Sequence, residues 1–109
     1  MAGSPEELPD LTAVRAAIDG LDEELVALLA RRERLVRAAA RFKTDAAAVR
    51  APGRVEQVVA RARLLAEASG GSPEVAERVY RAMVAAFVDL ELSVAELPGE
   101  GPGGGPAAP

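Results

Sequence analysis

Cysteine, histidine and tryptophan are missing from this 109-residue chain, and only 3% of it is aromatic. Without cysteine or histidine there is no thiolate nucleophile, no imidazole base and no zinc or copper site of the usual nitrogen and sulfur kind. Disulfides are excluded as well. Basic charge is in deficit, with 13 Lys and Arg against 17 Asp and Glu and a formal net charge of -4. That balance argues against nucleic acid as the main partner, because phosphate binding requires a net basic face, so any cationic site must be local. No apolar run nears the roughly 18 residues of a membrane span. The first eight residues carry Glu6 and Glu7 where a signal peptide would need an apolar segment. Together these absences predict a cytoplasmic protein with no membrane partner.

Half of the residues are hydrophobic and 28% are charged, the composition of one soluble globular domain. Residues 1–9 are short and polar, and residues 98–109 read PGEGPGGGPAAP. Both stretches predict disordered tails around a helical domain at 10–97. Within that domain breakers cluster at two places only, Thr44 to Gly53 and Gly70-Gly71-Ser72-Pro73. Three helical segments remain, and no strand.

The first segment places Leu11, Val14, Ile18, Leu21, Leu25, Leu28, Arg32, Leu35, Ala39 and Phe42 in an unbroken 3,4,3,4 spacing, the mark of a coiled-coil seam. Asp10 can cap its start, and the helix would be roughly 50 Å long. The second segment, from about Arg54 to Ser69, puts Val55, Val58, Val59, Ala62, Leu65 and Ala66 on one face, and Gly70 stops it. The third begins with Ser72 as N-cap and Pro73 in its first turn. Two shorter helices cannot cover a ~50 Å apolar seam, so a second copy of the chain is expected along it. The predicted fold is all-α, one long and two shorter helices in an intertwined homodimer.

Arg32 sits in the seam where leucine belongs, and a buried guanidinium without an anion is strongly destabilising. Its ordinary explanation is an ion pair to Asp22, Glu23 or Glu24 of a partner helix, or a side chain that snorkels to the surface. Arg15 and Lys43 change the weighing, because each follows a seam residue and both lie on one edge of the same face. Lys43 is three turns, or ~16 Å along the axis, from Arg32, so the two extended cationic side chains could converge on a small dianion between them. Arg15 is ~25 Å from Arg32 on the same helix and could join only from an antiparallel partner. Singly, Arg15 or Lys43 would be a solvated flank. Arg54, at the start of the second helix, would ordinarily be an exposed first-turn residue, but its positive charge at a positive helix end suits a neighbouring bound anion. Glu91 falls beside Val84, Phe87, Val88 and Val94 on the inner flank of the third helix. It either pairs with an arginine, lies at the surface, or is held among apolar neighbours that favour its protonated form.

The runs VRAAID, LLARRERL, RFK and APGRV, at Val14, Leu28, Arg41 and Ala51, resemble the all-helical chorismate mutase family over about Leu11 to Leu97. The resemblance implies a three-helix, domain-swapped homodimer whose two active sites each take an arginine from the neighbouring chain. It implies that Arg15 reaches one substrate carboxylate from the partner while Arg32 holds a carboxylate from its own chain. Lys43 would face the ether oxygen and a carboxylate, Arg54 would lie in the lid after the first helix, and Glu91 would hydrogen-bond the ether oxygen where many members have glutamine. RFK and APGRV look most like the isochorismate-pyruvate lyase branch. Val55 departs from the acidic residue that follows the lid arginine in many mutases, which leaves the natural substrate open.

The implied reaction suits the composition. Rearranging chorismate to prephenate is intramolecular and needs no nucleophile, proton transfer, metal or cofactor. It needs cations that hold both carboxylates in a near-attack geometry and donors toward the ether oxygen as the C–O bond breaks. On this reading Lys43 matters for rate more than for folding, and Glu91 as donor gives an acidic optimum. Chorismate mutase is the expected activity. Isochorismate-pyruvate lyase or a mutase for an amino-substituted chorismate is the alternative, and a non-catalytic helical dimerisation module is the remoter one.

Overall fold

The structure, a computed structural model, describes residues 5–95. These residues are helical, with no strand among them. A 3-10 turn at Pro5–Glu7 precedes α1 (Leu11–Ala40), α2 (Ala46–Arg50), α3 (Pro52–Ala68) and α4 (Pro73–Ala95). Of the tails expected at 1–9 and 98–109, residues 1–4 and 98–109 lie outside the described residues, as do residues 96 and 97 at the end of the expected domain. No described helix is long and apolar enough to cross a membrane.

The chain divides into two units, Met1–Leu35 and Val36–Pro109. The first is the helical rod that begins α1. Asp10 caps it as expected, its carboxylate accepting from the Ala13 backbone N–H at 2.9 Å. No residue of α1 is buried. Leu11, Ile18, Leu21, Leu25 and Leu28 each expose half of their surface or more, and Leu35 exposes 70%.

The second unit contains the core. The buried apolar set is Ala46 and Val49 of α2 with Val59 and Ala62 of α3, and both helices pack on α4. Burying a valine side chain contributes about 1.5–3 kcal/mol. α3 closes on Gly70, whose φ of 81° is the left-handed value glycine tolerates. The Gly71 N–H then bonds to Ala66 O at 2.8 Å and the Gly70 N–H to Glu67 O at 3.1 Å, a Schellman cap. Ser72 starts α4, accepting from the Val75 N–H at 3.3 Å.

Ion pairs on the open side fasten α3 to α4. Arg81 holds both oxygens of Glu56 at 2.8 and 2.9 Å and reaches Glu77 at 2.9 Å, while Arg63 bonds to Glu77 at 2.8 Å. Hydrogen bonds from Arg81 hold the Glu56 and Glu77 carboxyls below the usual carboxylate range.

Two expectations are corrected. The first helix was expected to run through Phe42, but it ends at Ala40, where N–H groups of Arg41, Phe42 and Lys43 turn back to Ala38, Ala39 and Ala40 at 3.0–3.3 Å. These i to i−3 bonds tighten the last turn and take the chain off the helix axis. The separation of ~16 Å between Arg32 and Lys43, counted on a continuing helix, therefore does not apply. The stretch Thr44 to Gly53, read as breakers, contains α2. Asp45 caps it by accepting from the Ala48 N–H at 2.8 Å, and three alanines follow. α3 consequently begins at Pro52 rather than Arg54.

Candidate functional site

Lys43 and Glu91 are brought together by the turn after α1 and the last part of α4. Glu91 is the buried polar residue among those described, 3% exposed, on the inner flank of α4 where helical spacing placed it. The Lys43 Nζ donates to Glu91 Oε1 at 3.3 Å and stands 3.1 Å from Oε2. The shorter distance is an ion contact without hydrogen-bond alignment, so buried Oε2 has no hydrogen-bond partner. The lysine side chain is 27% exposed and the glutamate's 4%. An ammonium at the surface therefore fronts a carboxylate behind it.

The local sequence explains this placement. Phe42 is 80% exposed, with Arg41 over its ring at 5.7 Å, so the turn presents these two outward while Lys43 turns inward. Ala46 and Val49 then anchor α2 against the core, keeping the turn beside α4.

A cavity of about 260 Å³ in the same unit is walled by Val55, Val84 and Val88 with Arg50, Arg81 and Asp89. Val55 thus contributes an apolar wall. Asp89 supplies a carboxylate to that cavity from α4. Reading the sequence for site residues missed Arg50, Arg81 and Asp89. The signal for the last two was their spacing on α4 with Val84 and Val88; Arg50 was hidden in the unrecognised α2.

The remaining expected residues are placed separately. Arg54 is exposed in the first turn of α3. Arg15 and Arg32 belong to the first unit, Arg15 exposed and Arg32 half-buried on α1. Both are on one continuous helix, 17 residues and thus ~25 Å apart along its axis.

A buried carboxylate joined to a lysine, in a chain without histidine or cysteine, can bind and orient an anionic or ether-bearing ligand and place positive charge or a proton on it. It offers no nucleophile of the usual kinds. The family described as Chorismate mutase type II matches residues 14–92, a span that contains all five expected site residues. The chain is also 33% identical over 89 residues to a protein named isochorismate pyruvate lyase from Pseudomonas aeruginosa, covering 82% of this chain and 88% of the relative.

Proposed function

The chain belongs to the type II chorismate mutase family, and on that premise we propose that it rearranges chorismate to prephenate without covalent catalysis. The observation that carries the reading is the buried Glu91 held by Lys43, a proton acceptor or donor and a cation facing one place. Lys43 supports the ether oxygen as charge develops on it, and Glu91 donates to the same oxygen when protonated. Loss of one such donor commonly lowers rate ~10²-fold or more. Arg15, Arg32 and Arg54 bind substrate, the first two through its carboxylates, which confines the flexible enolpyruvyl arm.

The same proposal includes a homodimer. Arg15 and Arg32 are ~25 Å apart on one helix, too far to clasp one small dianion together, so Arg15 acts from a second copy. The apolar stripe of α1, exposed in the single chain, is the surface that such a copy would cover.

A second reading, isochorismate-pyruvate lyase, is favoured by the name of the 33% identical relative. It cleaves the corresponding ether bond with an intramolecular hydrogen transfer and draws on the same cations. Chorismate and isochorismate assayed side by side, with products separated, decide between them. Prephenate from chorismate supports the first reading. Salicylate and pyruvate from isochorismate, without prephenate from chorismate, would replace it with the second. Consumption of neither would leave a mutase for an amino-substituted chorismate or a non-catalytic dimerisation module.

A further inference from the structure

Arg81 lines the cavity of about 260 Å³ and at the same time bridges α4 to the beginning of α3. We propose that Arg81 is a positioning residue: by gripping Glu56 it sets where the first turn of α3, with Arg54 and Val55, stands against α4, and so how tightly the site holds a dicarboxylate. The inference rests on the functional reading above, in which Arg54 binds substrate, and concerns what aims that residue.

The N-cap of α3 is Ala51, which gives the helix start no side-chain hydrogen bond, whereas Asp10 and Asp45 hold the starts of α1 and α2. Glu56 comes one residue after Val55 and two after Arg54, ~3 Å along the axis from the latter. Whatever holds Glu56 therefore holds them. Arg81 Nη1 and Nη2 donate to Glu56 Oε2 and Oε1 at 2.8 and 2.9 Å, and such a two-point fork restricts rotation as well as distance. Its Nε donates to Glu77 Oε2 at 2.9 Å, four residues back on α4. The guanidinium is thus fixed on its own helix before it reaches across.

The side chains of Arg81 and Glu56 are 44% and 64% exposed, and ion pairs so open to water stabilise a fold little. What this one supplies is orientation. Arg81 stands three residues before Val84 and seven before Val88, on one face of α4, and Val55 is the α3 side of the same cavity. Releasing Glu56 lets the first turn of α3 move off those valines and takes Arg54 with it. Lys43 is bonded to Glu91, so the groups proposed to face the ether oxygen keep their places. Arg54 binds a carboxylate that is present in substrate and transition state alike, and losing an interaction common to both raises KM while sparing kcat.

The test compares Glu56→Ala, Arg81→Lys and Glu77→Ala in the full chain, by steady-state kinetics on whichever of chorismate and isochorismate the wild type consumes and by urea unfolding. Lysine keeps the charge of Arg81 and loses its fork. Glu77→Ala loosens the same hairpin but leaves Arg81 on Glu56. In Glu56→Ala and Arg81→Lys, KM should rise about tenfold with kcat changed by less than about threefold. Glu77→Ala should keep the wild-type KM even where its urea midpoint falls as far as theirs. A KM that rises in all three in step with lost stability would make the clamp a structural tie and overturn the inference. A rise in Arg81→Lys without one in Glu56→Ala would mean that Arg81 meets the ligand itself, and an unchanged KM throughout that it aims nothing; either result overturns the inference and leaves the functional reading standing. A wild type that turns over neither compound would sink that reading and this inference with it.

Discussion

Replacing Lys43 by methionine removes the ammonium and keeps most of the side-chain volume. Glu91, 3% exposed, would then be a buried carboxylate without its cation, and breaking a buried pair at one partner costs about 3–5 kcal/mol. Lys43 is 27% exposed, so water can partly replace it, and the lower end, about 3 kcal/mol, is the expected loss near pH 7. Against a domain stability of about 5–15 kcal/mol that is a large fraction. The loss must depend on pH. In the variant the folded chain favours protonated Glu91, whereas the unfolded chain ionises it at about 4.3. A folded value raised above the unfolded one leaves stability intact in acid and removes it as pH rises. About 3 kcal/mol corresponds to roughly two pH units of full linkage at about 1.4 kcal/mol each. Urea unfolding at fixed protein concentration, from pH 4 to 8, measures it. Wild type and variant should converge near pH 4 and separate with increasing pH, and Lys43→Met combined with Glu91→Leu should recover much of the difference. A variant as stable as wild type at pH 7, or a difference that does not change with pH, would refute the reasoning. On this estimate Lys43 bears on folding as well as on rate, because its partner is buried.

Four further outcomes are expected. Light scattering should find twice the chain mass, and Leu25→Arg, placing a charge in the seam, should unfold the protein rather than give a stable monomer; a folded wild-type monomer at micromolar concentration would count against the dimer. Refolding a mixture of Arg15→Ala and Arg32→Ala chains should restore activity that neither has alone, since one of the two sites in a heterodimer is intact; no recovery from proven heterodimers would rule out sharing. Wild-type turnover should decline as pH rises from 5 to 8 while Glu91→Gln holds level, and identical profiles would remove Glu91 as the donor. Glu56 and Glu77 are held below the ordinary 4.5 by their bonds to Arg81, so their contribution is present above that value and lost as acid protonates them. Amide protection at the α3–α4 hairpin, relative to the intrinsic exchange rate at each pH, should fall below about pH 4.5 in wild type, and an unchanged acid response in Arg81→Ala would show the clamp is irrelevant.

Helices with strong local signals were legible. The helical run of α1, the Ser72-Pro73 start of α4 and the glycine stop of α3 are written in residues adjacent to the feature they cause. Glu91 could be placed on an inner flank because spacing fixes azimuth on a helix. Its pairing with Lys43 could not, since 48 residues separate them and the turn that joins them depends on where α1 ends. α2 was lost for a different reason. Five residues are too few for periodicity to register, and the proline and glycine that follow drew attention from the Asp45 cap and its alanines. Half of the buried apolar core, Ala46 and Val49, was hidden with it.

Ala51 joins α2 to α3 with φ 35° and ψ 64°, closing one helix through its N–H to Ala47 O at 2.9 Å and opening the next through its carbonyl to the Val55 N–H at 3.0 Å. An alanine in the left-handed region has a small basin there, unlike glycine. The joint therefore behaves as a bracket rather than a hinge: there is little torsional play for α2 to swing against the first turn of α3. Arg50 and Arg54, on either side of it, keep a fixed angular relation, and any movement that carries one toward a ligand carries the other.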